Sequence, residues 1–306
     1  MQHAPPGKPV YKPLQTAKLK TMCQNICDEN WPEIVRRVHV AMAAHVRRYI
    51  ASISRCVDNE SGAAHGSGVY LDINRRPFML TCEHVVREGY EGGGRIAHLP
   101  VAGGNYHAFP NPWFFEPDPV DLAVTAVAPA SWSSSDKRAL PVSRVANNYD
   151  VAPNELLMLC GYPAKAAYFS RFTGQPVLDS PLIPYTAREA ALPEGLDPGR
   201  HFGLHYEMGK AEAADGGSSR LPPAPGFSGS PIWDTGFVAG DCRDDWRPET
   251  ARVIGVCLRW NGGESFVLAL RAEQVRVFLL ENVRKIVAHE HWIERGRPAD
   301  DTADLE

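Results

Sequence analysis

Short apolar segments separated by turn residues are the feature that most limits the fold of this 306-residue chain. From Tyr49 onward these segments are rich in β-branched and aromatic residues, which favour strands over helices. Residues 128–154, with several prolines, serines and asparagines, divide the segments into two sets. We therefore expect an all-β fold with two antiparallel β-barrels of about six strands each. The predicted strands are 49–57, 67–72, 78–82, 95–99, 106–109 and 120–127, then 156–160, 201–208, 231–233, 252–259 and 265–270.

The two ends of the chain have a different pattern. A helix is predicted from about Asn30 to His45, because apolar residues recur there at three- and four-residue steps. An extended arm precedes this helix, and a second helix begins near Arg271. The predicted domains are the arm and helix at 1–48, the first barrel at 49–130, the linker at 131–154, the second barrel and C-terminal helix at 155–294, and a disordered tail at 295–306.

Composition excludes several classes of protein. Apolar residues make up 44% of the chain and charged residues 22%, which is ordinary for a globular protein with a buried core. A net charge of −4 gives no reason to expect nucleic acid or a membrane surface as partner. No apolar run reaches the ~18 residues of a membrane span, and no signal peptide is expected. The seven cysteines do not form a disulfide pattern, which favours free thiols and the cytoplasm.

One stretch, Gly226-Phe227-Ser228-Gly229-Ser230-Pro231, places a serine between glycines on a turn stiffened by preceding prolines. Gly226 can adopt backbone angles that turn its N–H towards a substrate oxygen. The N–H groups of Gly226 and Ser228 would then form an oxyanion hole beside the Ser228 hydroxyl. Since glycine, serine and proline are also ordinary turn residues, this stretch alone leaves open a simple turn before a strand.

Two residues in the first set of strands complete a nucleophilic site. His84 follows the strand at 78–82, and Asp121 opens the apolar strand at 120–127. His84 would take the proton of Ser228 as general base, and Asp121 would hold the imidazole in the required tautomer. Asp118 is the competing choice for the acid.

Three segments, Thr81-Cys82-Glu83-His84, Asp121-Leu122-Ala123 and Gly226–Pro231, resemble the signatures of chymotrypsin/trypsin-like serine proteases. The order His, Asp, Ser is also that of the family, and the Gly66-Ser67-Gly68 strand is closer to the bacterial HtrA/Deg-type branch. The resemblance implies a two-barrel peptidase without a cofactor that acts on a protein or peptide. Cys82 replaces the usual alanine, and no PDZ-like segment follows, so quality control of the heat-shock type is not expected.

The substrate pocket and the control of activity are less determined. Pro222 lies where trypsin-like enzymes carry the acid that selects Arg or Lys, so no strong basic preference is expected. Arg259 would favour an acidic residue if it lined the pocket, or else would simply face solvent. The loop Ala211–Pro225 leads into the oxyanion hole, and we expect a partner protein or the substrate to order it. This would suit a regulated effector protease in a bacterial stress or defence response.

Alternative functions use other residues or none. An α/β-hydrolase would take Ser228, Asp244 and His291 in that order, although Ser230 stands where its nucleophile motif has glycine. A protease fold without chemistry, acting as a binding module, is the second alternative. Metal sites are not expected, because Cys23-x-x-x-Cys27 and the His289-Glu290-His291 segment each lack a second ligand pair.

Overall fold

A computed structural model describes residues 16–56, 62–100, 106–164, 168–170, 177–179, 181–208, 221–261 and 265–294, with side chains from Trp31 onward. The helices are α1 (Thr16–Val46), α2 (Glu83–Glu91), α3 (Pro129–Ser133) and α4 (Ala272–Glu294). The first strands are β1 (Ile50–Cys56), β2 (Gly62–Ile73), β3 (Arg76–Thr81), β4 (Arg95–His98), β5 (His107–Ala108), β6 (Phe114–Glu116), β7 (Leu122–Ala126) and β8 (Leu140–Pro141). The later strands are β9 (Leu157–Gly161), β10 (Tyr168–Ser170), β11 (Val177–Asp179), β12 (Ile183–Ala187), β13 (Glu189–Ala190), β14 (His201–His205), β15 (Pro231–Asp234), β16 (Arg252–Asn261) and β17 (Phe266–Arg271).

The strands form two curled sheets, one from each half of the chain. The first has the order β5-β4-β1-β2-β3-β7-β6, with β8 pairing β2, and the second has the order β12-β9-β15-β16-β17-β14-β13. Apart from the parallel β2–β8 pair, the neighbours in both sheets are antiparallel. The predicted all-β, two-barrel architecture is confirmed. The sheets have eight and seven strands instead of about six, because β6, β8, β12 and β13 lie outside the predicted strands.

One continuous apolar core joins the two sheets and both terminal helices. Val38, Met42 and Val46 of α1 are fully buried, and α1 contacts β9 and β12 of the second sheet. The apolar face predicted for this helix therefore packs on its own protein. The helix begins at Thr16, well before the predicted Asn30, so residues 16–29 are helical and do not form the predicted extended arm. No helix in the described part of the chain is long and apolar enough to cross a membrane.

Several cysteines lie in or next to strands of both sheets. Cys56, Cys82, Cys160 and Cys257 are free thiols in the described part of the chain. Burial raises the pKa of Cys160 and of Cys257 to about 12, so these thiols stay protonated and unreactive at neutral pH.

A buried carboxylate, Glu155, fixes the turn that follows β15. It lies just before β9 and is 2% exposed. Its Oε1 accepts hydrogen bonds from the N–H groups of Leu156, Phe237 and Val238 and from the Thr235 hydroxyl, while Oε2 accepts one from Ala239 N. These five hydrogen bonds compensate for the removal of the Glu155 carboxylate from water.

We expect Glu155→Gln to lower the free energy of unfolding by about 2 kcal/mol. The new amide NH₂ would replace an oxygen that now accepts a hydrogen bond from a backbone N–H, which leaves two donors facing each other. Urea denaturation measures the change, with Glu249→Gln as the control because the Glu249 side chain is 69% exposed. Equal stability of the two variants would contradict this role for Glu155.

Candidate active site

Asp121 lies immediately before β7 and holds the start of α2 on the neighbouring part of the sheet. Its Oδ2 lies 2.7 Å from His84 Nδ1, and its Oδ1 accepts a hydrogen bond from the His84 backbone N–H at 3.0 Å. The Asp121 carbonyl accepts a third bond from Glu83 N at 3.2 Å. Cys82, the residue just before α2, makes no side-chain hydrogen bond to the start of the helix. Asp121 therefore satisfies the first N–H groups of the helix from outside. The same contacts fix the position and the ring orientation of His84.

The backbone at Asp121 has the left-handed conformation, with φ of 51°. Aspartate tolerates this region better than most residues. The turn allows the carboxylate to reach back to α2 while β7 continues into the core. The Asp121 side chain is 12% exposed and that of His84 is 25% exposed. The pair is therefore shielded on the aspartate side and open to solvent on the histidine side.

The competing acid, Asp118, lies in a different environment. It forms an ion pair with Arg259 at 3.5 Å, in which both side chains are more than half exposed. An ion pair this open to water contributes little to stability. Asp121, and not Asp118, is the acid bonded to His84.

The serine loop, residues 225–230, carries Ser228 and fits tightly between the two sheets. Gly226 and Gly229 have φ of 105° and 89°, in the region that favours glycine. A Cβ at Gly226 would collide with backbone atoms of Tyr162 and Ala164. At Gly229 it would collide with atoms of the first sheet. Glycine is therefore required at both positions by the close approach of other backbone segments.

The same loop brings Ser228 beside the segment that carries His84. The Ser228 carbonyl accepts a hydrogen bond from Ser67 N of β2 at 2.9 Å, and Gly229 packs against Thr81, three residues before His84. Ser228 is partly exposed, and among the described residues its hydroxyl makes no hydrogen bond to His84. In unliganded enzymes this bond is often long and tightens only when substrate binds.

Two backbone N–H groups next to the serine have no acceptor in the described part of the chain. The neighbouring donors are used, since Phe227 N bonds to Ala224 O and Gly229 N bonds to Cys257 O. The N–H groups of Gly226 and Ser228 make no such bond. These are the two groups that the sequence predicts for an oxyanion hole.

Cys82, His84 and Asp121 offer ligand atoms that lie within 4.8 Å of one another. The His84 Nδ1 to Asp121 Oδ2 distance of 2.7 Å fits a hydrogen bond. Two ligands of one tetrahedral ion, each bonded at about 2.0–2.2 Å, would lie farther apart. Burial, followed by the charge of Asp121, raises the pKa of the Cys82 thiol well above its ordinary value, and the thiol donates to Cys257 O. The side chains of the weak cysteine and histidine motifs at 23–27 and 289–291 lie outside the described residues.

Pro222 borders the serine loop through an aromatic pair. Its carbonyl accepts a hydrogen bond from the Tyr206 hydroxyl at 2.7 Å, and the Tyr206 ring lies edge-on to Phe227 at 5.9 Å. Both aromatic side chains are buried. Local sequence patterns do not single out Tyr206, because its partners lie 16 or more residues away in the chain.

Comparison with known proteins defines the class. Residues 66–240, more than half of the chain, match a family model described as a trypsin-like peptidase domain. The chain therefore belongs to the trypsin-like peptidase family, as the three sequence signatures indicated. The antiparallel sheets show that the α/β-hydrolase alternative is wrong, and its candidate acid Asp244 pairs with Arg37 at the surface.

Among solved structures, the chain is similar to the Rv3671c protease of M. tuberculosis in its active form. The two are 14% identical, with a TM-score of 0.43 and coverage of 83% of this chain and 86% of the other. A serine-to-alanine mutant of Rv3671c in an inactive form is 17% identical, with a TM-score of 0.43 and coverage of 85% and 94%. No curated protein matches the sequence.

Proposed function

We propose that the protein is a serine endopeptidase in which Ser228 is the nucleophile, His84 the general base and Asp121 the residue that orients it. The observation that carries the proposal is the pair of hydrogen bonds from His84 to the Asp121 carboxylate. A carboxylate at Nδ1 favours the tautomer whose Nε2 is free to take a proton.

In the proposed reaction, Ser228 Oγ attacks the carbonyl carbon of a peptide bond while its proton passes to His84 Nε2. The carbonyl oxygen becomes an oxyanion that accepts hydrogen bonds from the N–H groups of Gly226 and Ser228. The C–N bond then breaks, and His84 returns the proton to the leaving amine. Water, deprotonated by His84, attacks the acyl-enzyme, releases the carboxylic acid and restores the serine.

The finer assignments remain proposals. Pro222 and Arg259 are the proposed pocket residues, and the ion pair of Arg259 with Asp118 would have to open before Arg259 could meet an acidic substrate. Ordering of the loop Ala211–Pro225 by a partner also remains a proposal, and residues 209–220 of that region lie outside the described residues. Free thiols at four described cysteines are compatible with the proposed cytoplasmic site of action.

A fluorophosphonate probe tests the chemistry directly, because it reacts with an activated serine. We expect one label per chain, at Ser228, and no label in Ser228→Ala. Ser230→Ala is the matched control, since this buried hydroxyl two residues away has no hydrogen-bond partner among the described residues. It should react like the wild-type protein.

A protease-fold binding module without chemistry is the second candidate. It is favoured by one observation, the absence of a hydrogen bond between Ser228 and His84 in the described part of the chain. Failure of the folded wild-type protein to react with the probe, in the presence or absence of a peptide substrate, would favour this candidate over the peptidase.

A further inference from the structure

Ser67 of β2 is a fully buried residue whose polar atoms all face the serine loop or its supports. Its N–H donates to Ser228 O at 2.9 Å, and its carbonyl accepts from the Thr81 hydroxyl at 2.7 Å. Its hydroxyl donates to Gly226 O at 2.7 Å and accepts from Tyr162 N at 2.8 Å. One serine of the first sheet therefore bonds to both residues that carry the proposed oxyanion hole.

The carbonyl groups of residues 225–227 each accept one hydrogen bond. The first accepts from Ala164 N at 2.8 Å, the second from the Ser67 hydroxyl at 2.7 Å, and the third from Ser230 N at 2.8 Å. Because the N–H and C=O groups of a trans peptide point in opposite directions, these acceptors determine where the N–H groups point. The bonds at the first and third carbonyls therefore fix the directions of the N–H groups of Gly226 and Ser228.

The middle bond differs from the other two because a side chain supplies it. Gly226 is buried, so without the Ser67 hydroxyl its carbonyl would lose its partner. A buried carbonyl without a donor favours reorientation of its peptide. Gly226 has no Cβ to oppose such a rotation, and its φ of 105° is accessible to glycine alone at low cost. The peptide on either side of Gly226 is then free to turn a carbonyl, instead of an N–H, towards the substrate.

We infer that Ser67 is a positioning residue that keeps the oxyanion hole in its active arrangement across the boundary between the two sheets. This inference rests on the proposed function. Ser67 touches no reacting atom and acts through Gly226 and Ser228. A hydroxyl is needed there because the group both donates to Gly226 and accepts from Tyr162 N, which no apolar side chain can do.

The test compares Ser67→Ala with Ser52→Ala. Ser52 pairs with Ser67 across β1 and β2, is equally buried, and its hydroxyl has no hydrogen-bond partner among the described residues. Peptide hydrolysis is measured per active site titrated with a fluorophosphonate, so that unfolded protein does not count. For Ser67→Ala we expect kcat to fall about 10- to 100-fold with KM changed by less than about 3-fold, since loss of oxyanion binding affects the transition state.

Inhibition by a peptide aldehyde gives a second readout. The adduct of the aldehyde with Ser228 carries an oxygen in the oxyanion hole. The affinity of the Ser67→Ala variant for the aldehyde should therefore be lower than that of wild type, by about the same factor as kcat/KM. Ser52→Ala should leave kcat, KM and aldehyde affinity unchanged. Ser67→Thr keeps the hydroxyl and suits a strand, so it should retain kcat within about 3-fold of wild type.

Three results would overturn this role for Ser67. They are wild-type kcat in Ser67→Ala, a loss confined to KM, or a loss of kcat in Ser67→Thr as large as in Ser67→Ala. Each of them leaves the proposed peptidase function intact, because the wild-type protein is active in all three. A wild-type protein that neither hydrolyses peptides nor reacts at Ser228 overturns the proposed function, and the role of Ser67 with it.

Discussion

Replacing Asp121 by asparagine is expected to lower kcat for peptide hydrolysis about 10⁴-fold. The asparagine oxygen can still accept from the His84 backbone N–H, but its NH₂ would donate to Nδ1, where Oδ2 now lies 2.7 Å away. That bond favours the opposite tautomer, in which Nε2 carries the proton and cannot take one from Ser228. Steady-state kinetics with a fluorogenic peptide, per folded molecule, measures the change.

Asp118→Asn is the matched control. Asp118 lies three residues earlier, and its ion pair with Arg259 is exposed, so kcat should stay within about 2-fold of wild type. A large loss of kcat in Asp118→Asn, together with full activity in Asp121→Asn, would show that the acid is Asp118 and not Asp121. Because Asp121 also caps α2, thermal melting of each variant separates a catalytic loss from a folding defect.

Lowering the pH from 7 to 4 should cost the protein about 3 kcal/mol of unfolding free energy through His98 alone. This residue of β4 is fully buried, with Nδ1 2.6 Å from the Tyr70 hydroxyl and its ring stacked on Phe109. Burial, with a smaller contribution from His107, lowers the pKa of His98 to about 3. The unfolded chain binds a proton near pH 6.5, and the folded chain does not until about pH 3. Stability is therefore present above pH 6.5 and is lost progressively as the pH falls towards 3.

Urea denaturation of wild type and His98→Gln at both pH values checks this expectation. Glutamine offers a polar partner to Tyr70 but does not titrate, so the variant should be less stable at pH 7 and lose less stability in acid. Half-buried histidines such as His39 and His65 lower acid stability in both proteins, and their contributions cancel in the comparison. His107→Gln should keep most of the wild-type pH dependence, because burial is the larger cause of the lowered pKa of His98. If wild type and His98→Gln lose the same unfolding free energy between pH 7 and pH 4, His98 does not determine the pH dependence of stability.

The sequence predicted the two-barrel fold because each half contains short apolar segments bounded by turn residues. It also placed His84 beside a strand end and Asp121 at a strand start, where side chains of different strands meet. It favoured Asp121 but left Asp118 as a competing choice, because the decision depends on how the turn at Asp121 directs its carboxylate towards α2. The early start of α1 was missed because the proline-, lysine- and glutamine-rich composition of residues 1–29 suggested an extended arm, although Leu19, Met22, Cys23 and Ile26 recur there at helical spacing.

The contacts that order the serine loop and the turn after β15 could not be predicted from local patterns. Ser67 and Gly226 are 159 positions apart, and Glu155 and Ala239 are 84 apart. A serine in a strand and a glutamate before one are common, so neither has a distinctive signal. Their importance arises only when the two sheets are packed together and every buried donor and acceptor needs a partner.

The division of the site between the two sheets has a consequence for synthesis. A chain that has left the ribosome only as far as β14 contains the His84–Asp121 pair, but it lacks Ser228, the proposed nucleophile, and the N–H groups of Gly226 and Ser228. The first helix, α1, can already pack on β9 and β12 in such a chain, because both strands precede β14. The newly made polypeptide therefore lacks the proposed nucleophile, and with it the means to cleave itself or its neighbours, until the later strands have been translated.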